Sequence, residues 1–232
     1  MICAIHQPQT YPWLGYFAKI MQADVFIFLD NVQFKKNEWQ NRNKIRTPDG
    51  WQWLTVPVIH HFGQNINAVQ INKTVDWRPK HLQALRTYYG KAPFFGRYFA
   101  EIESLYRREW HNLAEFNIAS VRLIMAWMGV EIPTLIGSAI RELQTNPQIS
   151  ADERLIIATK AVGADVYLSG AGGHDYLDTA LFPKNGIELT FQNFIHPIYR
   201  QITAEFLPYM SVLDLLFNEG PQASAIIKKG IL

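Results

Sequence analysis

The chain has 232 residues, 48% of them hydrophobic and 18% charged, and its 22 Lys and Arg against 20 Asp and Glu leave a net charge of +2. That balance gives no global basic excess of the kind nucleic acid or an anionic membrane demands, so a polyanion would have to meet a local cluster. One cysteine, Cys3, excludes an intramolecular disulfide and a thiolate metal cluster, and fits a reducing cytosol.

The length favours a single α/β domain over 1–232, with a helical insertion or cap at about 76–130. The opening apolar run ends at His6, too short for a signal peptide. Nowhere do about 18 apolar residues run together, so the chain is expected not to span a membrane and to be cytoplasmic.

Ile2 to Ile5 reads as a short buried strand, ended by Gln7-Pro8 because proline removes a donor and restricts its predecessor. Trp13, Phe17 and Ile20 fall on one helical stripe, and Val25 to Leu29 is a second buried run. Strand, helix, strand predicts a parallel pair. Lys44 to Thr47, a Pro48-Asp49-Gly50 turn and Trp51 to Val58 predict a β-hairpin, with a further strand near Val69 to Ile71. From Asp76 to Met128 the periodicity is helical, over Trp77 to Tyr89, Phe95 to Arg107 and Leu113 to Met128. Alternation resumes at Ile132 to Ile136. Ser150 and Glu153 form a capping box for a helix ending near Gly163. Val166 to Leu168 and Ile187 to Phe191 are strands, the first followed by a glycine-rich turn over Ser169 to Gly173. The predicted fold is α/β: a parallel-sheet core of strand-helix-strand units with a β-hairpin and a largely helical insertion.

The first fifty residues crowd polar side chains between aromatic ones, which a core alone does not require, because buried polar groups cost free energy unless partners or a ligand satisfy them. His6-Gln7-Pro8, Pro12-Trp13-Leu14-Gly15-Tyr16-Phe17, Asp30-Asn31-Val32-Gln33-Phe34 and Gln40-Asn41-Arg42-Asn43, with the later Tyr167-Leu168-Ser169-Gly170, resemble in their order the WbqC-like family. The resemblance runs from the first strand to about Arg200. Members of that family occur in bacterial gene clusters for O-antigen and other surface polysaccharides, often where amino sugars receive unusual acyl groups. The resemblance implies a transferase adding an acyl or aminoacyl group to a nucleotide-linked amino sugar, with that sugar and the donor as ligands and other polysaccharide enzymes as partners. It fixes no catalytic residue.

Read from the residues, His6 and Asp30 end neighbouring strands, at the carboxyl edge where open α/β sheets bind ligands. His6 is the expected base, oriented by Asp30; the bland reading of Asp30 is an Asx turn. Gln7 and Gln33 suit neutral polar ligands, and Trp13, Tyr16 and Trp39 offer ring faces. Lys35, Lys36, Asn41, Arg42, Asn43, Lys44 and Arg46 form a local basic cluster among Phe34, Trp39, Trp51 and Trp53. Asn41 and Arg42 are its expected phosphate ligands, although a solvated hairpin explains Lys35, Lys36 and Arg46 equally well. The Ser169 to Tyr176 stretch lets backbone amides near Gly170 approach an anion, with Ser169, His174 and Tyr176 as further ligands. It matches neither a P-loop nor a nucleophile elbow. Cys3 reads as a small buried side chain. The histidines show no zinc spacing, and no cofactor or metal is assigned. Two other functions fit: a nucleotidyltransferase-like enzyme of the HIGH-type architecture, whose signature histidines would fall at Trp13 and Tyr16, and a non-catalytic sugar-nucleotide-binding partner of a glycosyltransferase assembly.

Overall fold

The protein is described by a computed structural model over residues 1–144 and 149–232. In chain order its elements are β1 (Ile2–His6), α1 (Leu14–Ile20), β2 (Val25–Phe28), β3 (Arg42–Thr47), β4 (Gly50–Thr55), β5 (Val58–Ile59), β6 (Gln70–Ile71), α2 (Arg78–Tyr89), α3 (Phe95–Arg107), α4 (Leu113–Trp127), β7 (Thr134–Ile136), α5 (Arg141–Gln144), α6 (Ala151–Ala161), β8 (Val166–Ser169), α7 (Leu181–Lys184), β9 (Glu188–Phe191), α8 (Val212–Glu219) and α9 (Ala223–Lys229).

Five strands form one parallel sheet in the order β7-β2-β1-β8-β9. The expected first pair is parallel, with Cys3 opposite Val25 and His6 opposite Phe28. Burial on both faces explains why these strands read as unbroken apolar runs. One face carries Ala4, Phe26, Phe28 and Leu168 into a cluster with α1, α2, α3, α4 and α8. The other carries Cys3, Ile5, Ile27 and Tyr167 against Leu155 and Ile156 of α6 and Phe182 of α7. Alternate residues of β1 serve opposite faces, as a pleated strand requires.

The hairpin is antiparallel, with Lys44 opposite Trp53 and Thr47 opposite Gly50. Gly50 adopts φ 141°, a conformation that disfavours any side chain. The helical insertion is α2 to α4. Ser150 caps α6, its side chain and that of Glu153 reciprocally bonded to backbone amides in the expected box. The glycine-rich turn after β8 continues into a short 3₁₀ helix, Ala171–Asp175. No helix among the described residues is long and apolar enough to cross a membrane.

Candidate functional site

Numbered by their order in the chain, the five parallel strands lie 3-2-1-4-5, so the winding reverses between β1 and β8. At such a reversal the chain leaves the two strand ends in opposite directions, and a crevice opens beyond their carboxyl termini. Here its volume is about 610 Å³. Ile5, His6 and Gln7 line it from β1, Lys19 from α1, and Tyr167, Ser169 and Gly170 from β8; Gln33, Lys35, Arg154, Gly173 and Tyr176 add to its walls. No carboxylate is among the described residues that line it. A larger hollow of about 670 Å³ follows α3 and α4, with Glu101, Glu115, Arg108 and Arg122 in its lining. It holds none of the polar residues singled out above, so the crevice is the better site. The insertion does not cap the crevice, since none of α2 to α4 lines it.

His6 Nδ1 lies 3.1 Å from the Gln7 carbonyl oxygen and donates its proton there, which leaves the lone pair on Nε2. Tyr16 stands 4.7 Å away, ring to ring, and its hydroxyl donates to the same carbonyl at 3.1 Å. Burial, reinforced by the Lys19 charge, pushes the imidazole down to about 3, so His6 is neutral near physiological pH.

Lys19 escaped the sequence reading, where a lysine in a helix passes for a solvated stem. The structure sets it apart, because every residue of α1 is buried and Lys19 is the one charged member. Its Nζ donates to the Ile5 carbonyl at 2.8 Å. Burial pulls the ammonium down to about 7, opposed by Cys3. Cys3 itself is fully buried with its thiol pushed up to about 12, an inert packing group.

The pairing of His6 with Asp30 does not form. Asp30 is buried and accepts from the Ser138 amide at 2.7 Å and from the Ser138 hydroxyl at 2.6 Å, which ties the end of β2 to the turn after β7. Asn41 is corrected in the same way: it is 3% exposed, accepting from the Asn37 amide and donating to the Val56 carbonyl, so it has little left for a phosphate. Arg42 instead lies 4.0 Å over the Trp53 ring, and Trp39 packs on that ring's neighbourhood at 5.6 Å, on the hairpin and away from the crevice lining. Trp13 joins Phe194, His196 and Tyr209 in an aromatic cluster that holds the C-terminal segment. The basic cluster therefore divides: Lys35 reaches the crevice, Lys44 covers Trp51 at 4.3 Å, and buried Arg46 donates to the carbonyls of Thr47, Gly50 and Glu205.

Much of the early polar motif proves to be bracing for the loop after β1. Asn43 donates to the carbonyls of Thr10 and Tyr11, and Asn117 of α4 donates to those of Pro8 and Gln40 while accepting from the Thr10 hydroxyl. Gln40 closes the network by donating to Gln7 Oε1 at 2.6 Å. These bonds let Tyr11 hold a φ of 43°. They also fix the side chain of Gln7 at the crevice.

On the β8 side, Ser169 is buried and donates to the Gly170 carbonyl at 3.2 Å. The Gly173 amide is already bonded to the Gly170 carbonyl, which takes it out of use for an anion. A side chain at Gly173 would come within 2.2 Å of Ser169 Oγ, so glycine is required by the close approach. His174 stacks on Phe191 at 3.5 Å and does not line the crevice, whereas exposed Tyr176 does.

The chain matches the model of the WbqC-like protein family over residues 7–226. The uncharacterized protein Rv1507c of Mycobacterium tuberculosis (strain ATCC 25618 / H37Rv) is 35% identical over 224 residues, which cover 95% of this chain and 94% of that protein. No solved structure is matched. The family match starts just past β1 and runs from Gln7 through α1 and β8 to 226, nearly the whole length, and the chain belongs to the WbqC-like protein family.

Proposed function

We propose that the protein transfers an acyl or aminoacyl group to the amino nitrogen of a nucleotide-linked amino sugar held in the β1/β8 crevice. The observation that carries this reading is the lining, in which Lys19, Lys35 and Arg154 meet a neutral imidazole with no carboxylate among them. Guanidinium and ammonium groups suit a diphosphate, and Gln33 and Tyr176 offer an amide and a ring to the neutral part of the ligand. His6 Nε2 accepts a hydrogen bond from the acceptor nitrogen and directs its lone pair at the acyl carbon. The C–N bond forms as the donor's leaving group departs with its electron pair, and the proton lost by nitrogen passes to that leaving group through a crevice base or solvent. The setting implied by the family is cytoplasmic polysaccharide assembly alongside other enzymes of that assembly.

The test is a transfer assay with nucleotide-linked amino sugars and acyl thioesters, products read by mass spectrometry, on wild-type and His6→Ala protein. The variant is expected to bind both ligands and to transfer about 10²-fold more slowly, the usual cost of losing alignment of a reacting atom. Full activity in His6→Ala would remove His6 from the mechanism.

One observation favours a second reading. The 3-2-1-4-5 order, with α1 opening at Leu14 past the end of β1, suits a nucleotidyltransferase-like enzyme. Trp13 and Tyr16 stand where that chemistry needs imidazoles, and both are committed to packing. Release of pyrophosphate from a nucleoside triphosphate would put this reading first.

A further inference from the structure

We propose that Lys19 is the proton-accepting group of the crevice, and that a phosphate-bearing ligand binds there together with one proton that settles on Lys19 Nζ. The inference deepens the anion-binding half of the proposed function and is independent of acyl transfer.

The geometry comes first. Among the described residues Lys19 Nζ has one acceptor, the Ile5 carbonyl, and an ammonium has three donors, so its remaining capacity is open to a ligand. It faces the crevice past Gly170, where a Cβ would touch Nζ alone, at 4.0 Å. A lysine buried without an anion is costly, and an apolar side chain would fill α1 at a smaller penalty. The position therefore makes sense for a group that meets its counterion only on binding.

The surroundings decide how it titrates. From β1 it faces Cys3, a neutral thiol, and His6, a neutral imidazole; β8 supplies the Ser169 hydroxyl and Tyr167, whose phenol is likewise neutral because burial raises its proton affinity. Lys35 and Arg154 are the other basic residues of the crevice. Asp152 on α6 bears on Tyr167 and Tyr176, while Lys19 responds to burial and Cys3. With its ammonium held at about 7, Lys19 exists as a mixture of amine and ammonium near neutral pH. An oxyanion beside it raises that value by about 1–3. The sign follows: binding is strongest below about 7 and weakens as pH rises from there towards the value of the occupied site. His6, at about 3, cannot supply this dependence.

The experiment follows the ¹⁵N resonance of Lys19 Nζ against pH in the full protein, assigned by its loss in Lys19→Met, with sodium sulfate or with sodium chloride at matched ionic strength. Sulfate is fully ionised across the range, so any movement belongs to the protein. The expected midpoint is near 7 in chloride and higher in sulfate. Calorimetry with UDP-N-acetylglucosamine, whose phosphates are also fully ionised, is expected to show proton uptake between buffers of different ionisation enthalpy. Its affinity should fall about tenfold per pH unit above the free midpoint. A free midpoint near that of an ordinary lysine, or one that sulfate leaves unmoved, overturns the proposal. A sulfate-dependent shift without binding of the nucleotide sugar supports it and counts instead against the reading of the crevice as a nucleotide-sugar site.

Discussion

Lys19 shows at the scale of one residue how a site is kept at the expense of stability. Its ordinary value is 10.5 and its folded value about 7, so at neutral pH the unfolded chain holds the proton more firmly than the native one. Lys19→Met is therefore expected to raise stability by about 2 kcal/mol or more at pH 7, read by urea unfolding, while losing anion binding. Equal or lower stability would mean that the amine earns its place in the fold by another contact. Gly173→Ala is expected to do the reverse. Its methyl group would press on Ser169 Oγ, Leu177 and Phe191, costing about 1–3 kcal/mol and narrowing the crevice. Strand-end logic singled out His6 and Asp30; His6 does lie at the crevice, with Gln7, Ser169 and Gly170, whereas Asp30 is taken up by Ser138. Lys19 was illegible because nothing in a heptapeptide says that all of it will be buried.

Among elements, the loop between β1 and α1 depends on distant amides. Asn117 is fully buried and serves three partners on two loops, so Asn117→Ala is expected to cost about 3 kcal/mol by leaving the Pro8 carbonyl without its donor and the Gln40 carbonyl with the Thr10 hydroxyl alone. Because the same network positions Gln7, ligand affinity should fall with it; denaturation and binding measured on one preparation would show whether the two losses travel together. The dense polar character of the first fifty residues reads as a site, yet Asn41, Asn43 and Asp30 are bonded to the protein's own backbone and to Ser138. A buried amide bonded to backbone and an amide bonded to ligand have the same sequence signature, and the partners of Asn43 lie more than 30 residues away. Local signals fared better: the Pro48-Asp49-Gly50 turn and the Ser150–Glu153 box depend only on neighbours and are present. The C-terminal helices α8 and α9 went unread, although Ser211 caps the first of them and the apolar run behind it is visible.

The whole molecule carries its titration in buried bases. His6 falls from 6.5 to about 3 and His81, bonded to Thr55 and Tyr106, falls to about 4. Each contributes stability that is complete above 6.5 and is lost as pH falls towards its folded value, at about 1.4 kcal/mol per pH unit. Tm is therefore expected to decline steadily below pH 6.5, with the slope reduced in His81→Gln; a flat profile down to pH 5 would contradict the burial of both rings. Asp214, raised by burial, works in the opposite sense and softens the decline at the acid end. Above this background sits the central claim, that the crevice between β1 and β8 is where ligand binds. The most direct measurement is thermal stabilisation by nucleotide-linked amino sugars, free nucleotides, ATP and acyl thioesters, on wild type and on Lys35→Ala/Arg154→Ala protein. A ligand bound only by the native state raises Tm. The expected result is a shift selective for a nucleotide-linked amino sugar that disappears in the double variant; a shift of equal size in both proteins would place the ligand elsewhere and contradict the account.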